Sequence, residues 1–269
     1  MTLSLHVEDA GDRAKPTIIF LHSAGASSRM WQTQMVHLTD FNCLAPDLPG
    51  HGQSSQTPWR SLDETAYLIA EVIQQRATHG RAHIVGVSLG AYVALQLLSR
   101  YPQVAERVIL SGITAFPLPN RHPMIWMTQL MGPLMNSWLT TDFIIKLNVQ
   151  AMKIPDCTFK RYHSELTHAV GNTMLDVLLE ASRYKMPANI NNIHHPTLIT
   201  SGEHDFHLVH ESLPVLANAM PQGEGYLVPD ASHGWFFEMP DLFTQTVNAW
   251  CNANTLPAAL IDVNELVFA

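Results

Sequence analysis

The stretch His83-Ile84-Val85-Gly86-Val87-Ser88-Leu89-Gly90 decides how this chain is read. Ile84, Val85 and Val87 make a short β-branched run, the composition of a buried strand. Leu89 to Tyr101 reads as a helix and stops at Pro102, which cannot continue one. Ser88 therefore stands where a strand turns directly into a helix. The G-x-S-x-G spacing puts a small residue two places to either side of the serine, so strand and helix can approach closely enough to form a sharp, strained turn. A serine held in such a nucleophile elbow presents its hydroxyl beyond the end of the strand. The plainer alternative is an ordinary serine in a tight loop.

Outward from this point the chain keeps alternating between short apolar runs and helix-period segments, the signature of a mostly parallel sheet flanked by helices. Thr17–Leu21, Asn42–Pro46, Arg107–Ser111, Thr197–Thr200 and Gly225–Val228 read as further strands. Leu62, Ala66, Ile69, Ala70 and Ile73 mark an amphipathic helix, with Ser61 and Glu64 spaced as a capping box. Other helices fall on Trp31, Met35 and Leu38, on Leu213, Leu216, Ala217 and Met220, and on Phe243, Val247 and Trp250. The rhythm breaks over 115–188, a segment rich in Met, Trp and Pro with no strand-like run. It reads as a helical cap inserted into a core made of 1–114 and 189–269. Leaving the sheet at a strand's carboxyl end, it is placed to roof a site.

A serine hydroxyl needs a general base, and the base needs a third group to fix its tautomer. Of the 15 histidines, His233 is best placed, on the loop between the last strand and the terminal helix. Asp205 occupies the equivalent loop one strand earlier, with Glu203 in reserve. Acyl chemistry also needs donors aimed at the developing oxyanion. The backbone N–H of Leu89 is one, at a helix N-terminus where the dipole favours negative charge. The second is expected from Leu21-His22-Ser23-Ala24-Gly25-Ala26, as the N–H of Ala24, with Ser23 the adjacent alternative.

These residues, together with Asp47-Leu48-Pro49-Gly50-His51-Gly52-Gln53-Ser54, resemble the α/β-hydrolase superfamily over nearly the whole chain. His22-Ser23-Ala24-Gly25 resembles its His-Gly-x-x loop, Asp47 to Ser54 its D-x-P-G-x-G-x-S stretch, and Trp31 the tryptophan that opens its first helix. The resemblance implies the α/β-hydrolase fold, Ser88 as nucleophile, Asp205 as acid, His233 as base, Ala24 and Leu89 as oxyanion donors, and a cap over 115–188. Ser23 departs from the usual glycine. The tail from Asn252 to Ala269 runs past the usual terminal helix, and its apolar residues suit docking on the body or on a second subunit, which leaves a homodimer open.

The expected function is cofactor-free hydrolysis of a carboxylic ester or lactone with a partly apolar substrate. The resemblance also admits carbon–carbon bond hydrolases of the meta-cleavage type and cofactor-free perhydrolases, and the different-class alternative is a non-catalytic receptor on the same fold. No metal is expected: His204, His207 and His210 rotate around a helix rather than converge. A dinucleotide fold would need G-x-G-x-x-G after the first strand. The net charge of −8 with no basic cluster argues against nucleic acid. The three cysteines form no CxxC pair, as in a reducing compartment. Met1 to Ala10 has no basic and apolar leader and no apolar run is long enough to span a bilayer, so the expectation is a cytoplasmic protein without a membrane partner. The 15 histidines are expected to discharge much of the negative surface on mild acidification.

Overall fold

The structure is a computed structural model that describes residues 4–117 and 172–265. Its sheet has eight strands among these residues, in the order β1-β3-β2-β4-β5-β6-β7-β8. They are β1 Val7–Ala10, β2 Thr17–Leu21, β3 Asn42–Pro46, β4 Ala82–Val87, β5 Ala105–Ser111, β6 Thr197–Gly202, β7 Gly223–Val228 and β8 Ile261–Asp262. The strands β2 to β7 run parallel, and β1 and β8 close the edges antiparallel to β3 and β7. The helices are α1 Gln32–His37, α2 Leu62–Arg76, α3 Leu89–Arg100, α4 Asn172–Ser182, α5 His207–Ala219, α6 Trp235–Glu238 and α7 Pro240–Cys251.

The period-2 alternation of each strand sorts its side chains into two cores. On β2, Ile19 and Leu21 join Leu44, Ile84 and the buried faces of α2 and α3. Ile18 and Phe20 face the opposite way, with Cys43, Val85, Val87 and the aromatic residues of α6 and α7. In that second core Trp31 stacks on Phe243 at 5.8 Å and 25° and lies 5.2 Å from Phe20. Burial on both faces explains the near-continuous apolar runs of β2 and β4.

The start of α2 differs from the expected capping box. Ser61 Oγ accepts from Glu64 N–H at 3.0 Å, but the Glu64 carboxylate pairs with Arg60 at 3.4 Å. Glu180 of α4 takes part instead, accepting from Leu62 N–H at 2.8 Å and from Trp59 Nε1–H at 3.0 Å. This docks the returning end of the expected cap onto the core; residues 118–171 of that cap lie outside the described residues. The tail docks on the body as far as Glu265: Ile261 pairs with Leu227, and Leu260 and Val263 are buried. Among the described residues no helix is long and apolar enough to cross a membrane.

Candidate active site

Ser88 links β4 to α3 with φ 53° and ψ −116°, a conformation that costs a non-glycine residue about 1–3 kcal/mol. Its surroundings hold it there. Ser88 N–H donates to Ser111 O at 2.8 Å, and Ser88 O accepts from Ala91 N–H at 2.9 Å. A methyl group on Gly86 would collide with the Gly90 carbonyl, and one on Gly90 with the Leu21 carbonyl, so the paired glycines let strand, helix and β2 meet.

Asp205 and His233 come together across the ends of β6 and β7. His233 Nδ1 donates to Asp205 Oδ1 at 2.8 Å, with only 10% and 1% of their side chains exposed. Because a carboxylate can only accept, the bond places the proton on Nδ1 and leaves Nε2 as an acceptor. The same Oδ1 accepts from Phe206 N–H at 2.7 Å. His210 Nε2 donates to Gly202 O at 2.7 Å, a carbonyl that also accepts from Asp205 N–H at 3.1 Å, which pins the acid's turn. On the His233 loop, Ser232 N–H donates to Glu238 Oε1 at 3.0 Å, and the Ser232 hydroxyl bonds the same oxygen.

His233 is brought to the Ser88 side of the sheet through β5. Val87 of β4 is the register partner of Ser111, and Gly112 follows. A Cβ on Gly112, whose φ is +67°, would stand 2.6 Å from His233 Cε1. The imidazole therefore lies against the residue beside Ser88. Trp235 Nε1 donates to Ser111 Oγ at 2.8 Å and ties the histidine loop to that strand. Ser88 Oγ itself makes no hydrogen bond among the described residues. Glu203, the reserve acid, is exposed and accepts from Asp230 N–H at 2.9 Å, away from His233.

The segments that carry the two expected oxyanion donors leave neighbouring strands, since Leu21 at the end of β2 is the register partner of Gly86 on β4. His22 Nδ1 donates to Ser23 O at 2.8 Å, and its Nε2 accepts from Leu48 N–H at 2.9 Å. In a trans peptide the carbonyl of Ser23 and the N–H of Ala24 point in opposite directions, so the ring fixes where Ala24 N–H is aimed. Neither Ala24 N–H nor Leu89 N–H has an acceptor among the described residues. Ser23 Oγ is buried and has no hydrogen-bond partner among the described residues. The loop is braced by Asp47, whose Oδ1 accepts from Ser28 N–H at 2.6 Å and Oδ2 from Gln53 N–H at 2.7 Å. Burial pushes the pKa of His22 down, against smaller upward pulls from its Ser23 bond and from Asp47. Burial likewise pushes His51, whose ring centroid is 5.0 Å from that of His22, down to about 3.

Among the described residues, only His204 of the three evenly spaced histidines belongs to a group of metal-type ligands, with Glu203 and Asp230, all three exposed. His210 is occupied by Gly202. A cavity of about 700 Å³ between the start of α2 and α4 is lined by Trp59, Leu62, Glu180, Arg183 and Tyr184 and by none of Ser88, Asp205 and His233. Sequence reasoning missed Gly112 and Phe206. Phe206, whose ring centroid is 5.3 Å from that of His233, could have been flagged only as an apolar residue next to Asp205.

Comparison with known proteins gives the same frame. The chain is 23% identical over 259 residues to a pimeloyl-[acyl-carrier protein] methyl ester esterase of Nitrosomonas europaea, covering 91% of this chain and 99% of the relative. It is 35% identical over 112 residues to an esterase of Mycobacterium tuberculosis, covering 40% of this chain and 36% of that one. With the first curated relatives it matches, the chain spans about a third of their length. Among solved structures it resembles the enol-lactonase from Burkholderia xenovorans, with TM-score 0.77, 21% identity and coverage of 92% and 96%, a likeness of fold. Residues 18–246 match the Alpha/beta hydrolase family, and the chain belongs to that family.

Proposed function

We propose that this protein is a serine hydrolase that opens a small, partly apolar carboxylic ester or lactone through an acyl-enzyme. The observation that carries the reading is the buried 2.8 Å bond from His233 Nδ1 to Asp205 Oδ1, which leaves Nε2 free to accept a proton on the Ser88 side of the sheet. Ser88 Oγ attacks the carbonyl carbon while His233 Nε2 takes its proton. The oxyanion that forms is held by the N–H groups of Ala24 and Leu89. His233 returns the proton to the leaving oxygen as the carbon–oxygen bond breaks, and water then repeats the cycle on the acyl-enzyme. Segment 115–188 acts as the lid. The relatives named as esterases and the enol-lactonase of like fold are compatible with this chemistry without fixing the substrate.

The test is hydrolysis of p-nitrophenyl acetate and p-nitrophenyl hexanoate by wild type and Ser88→Ala, with folding checked by circular dichroism. The wild type should cleave at least one ester and the variant should lose at least about 10³-fold in kcat. Equal rates for the two proteins would contradict the role of Ser88.

A further inference from the structure

We propose that Phe206 is a specificity-determining residue whose exposed ring seats the apolar part of the leaving group, an inference that rests on the serine-hydrolase reading above. Phe206 precedes α5 and is 56% exposed. The buried face of α5 is made by Val209, Ser212, Leu213, Leu216 and Ala217, so the core does not use this ring. Among the described residues the other large exposed apolar side chains are Val36, Tyr67 and Phe116, and of the four it is Phe206 whose ring lies on His233, at 5.3 Å and 58°.

The chemistry gives that position a consequence. When the acyl carbon–oxygen bond breaks, the proton on His233 Nε2 passes to the leaving oxygen, which must stand about 2.6–3.2 Å from that nitrogen. The first carbons of the leaving group are then within reach of whatever side chain borders the imidazole. Asp205 is turned to Nδ1 and buried, and the neighbour at Cε1 is Gly112, which has no side chain. Phe206 offers the apolar surface. Its backbone is anchored beside the imidazole, since Phe206 N–H donates to Asp205 Oδ1 at 2.7 Å. A flat aromatic ring favours a planar or extended apolar alcohol over methanol.

The experiment measures kcat/KM for methyl, butyl and benzyl butyrate, and for methyl acetate and methyl hexanoate, with wild type, Phe206→Ala and Phe206→Leu. A fluorophosphonate probe and intact mass run alongside. For benzyl butyrate, Phe206→Ala should lose about tenfold and Phe206→Leu less. For methyl butyrate the loss should stay under about twofold, the acyl series should parallel wild type, and the melting temperature should be unchanged. Equal losses for all alcohols, or losses that follow the acyl chain, would overturn the role of Phe206 while leaving Ser88 labelled. A wild type that is neither labelled nor active would overturn both readings.

Discussion

A serine at φ 53° and ψ −116° stays there because its N–H is bonded to Ser111 and because the glycines on either side let three backbones converge. That conformation was legible from five residues, since only a strand-to-helix turn uses glycines at that spacing in that context. The meeting of His233 and Asp205 was legible for a related reason: each lies on a loop after a strand, and those loops gather at the carboxyl ends of neighbouring strands. Gly112, Phe206 and the His22 bond to Ser23 O were not, because each acts through a neighbour distant in sequence or through a ring orientation that periodicity does not encode. Gly112 yields the sharpest prediction at this scale. In Gly112→Ala the new methyl would stand 2.6 Å from His233 Cε1 at a φ of +67°, so the ring must move. A displacement of about 1 Å in a catalytic group costs on the order of 10²-fold, and kcat on p-nitrophenyl hexanoate should fall by that much. A variant within twofold of wild type would show that His233 is not confined by this contact.

The parallel strands were legible from their short, mostly apolar runs, whereas β1 and β8 were missed. Val7-Glu8-Asp9-Ala10 mixes charge with half-buried positions at a sheet edge, and Ile261–Asp262 is too short to show a period. The helix expected to run from Trp31 to Leu38 is shorter: Trp31 ends a 3-10 turn, Leu38 is the C-cap, and α1 covers only Gln32–His37. In the Asp47–Ser54 stretch that carries part of the family resemblance, the Asp47 carboxylate joins two loops by bonding Ser28 and Gln53. Hydrogen bonds to a buried charged group contribute about 1.5–3 kcal/mol each. Asp47→Ala should therefore lower stability by about 3 kcal/mol or more in urea unfolding, and Asp47→Asn, which keeps one acceptor, by less. An Asp47→Ala midpoint equal to wild type would mean that the two loops hold without this bridge.

For the molecule as a whole, four of the 15 histidines stand outside the expected discharge of the negative surface on mild acidification. His22, His51, His83 and His195 all have lowered pKa values, each chiefly because burial disfavours the charged ring. The sequence records a histidine count but not burial, so this was not legible. The sign of the stability effect follows. The unfolded chain takes up a proton on His51 near pH ~6.5 and the folded chain only at about 3, so stability is full above the upper value and is lost as pH falls through that window. The loss is about 1.4 kcal/mol per pH unit for one such group. Urea unfolding of wild type between pH 7 and pH 4.5 should show falling stability, and His51→Asn should have a slope shallower by about one proton. Identical slopes would place the acid sensitivity elsewhere. The central claim, that Ser88 is a nucleophile served by His233 and Asp205, is tested most directly by treating the wild type with a fluorophosphonate and mapping the adduct by peptide mass spectrometry. The account predicts one adduct, on the peptide carrying Ser88, formed at least about 10²-fold more slowly in His233→Ala. An adduct on another residue, or labelling of Ser88 at an unchanged rate in His233→Ala, would contradict it.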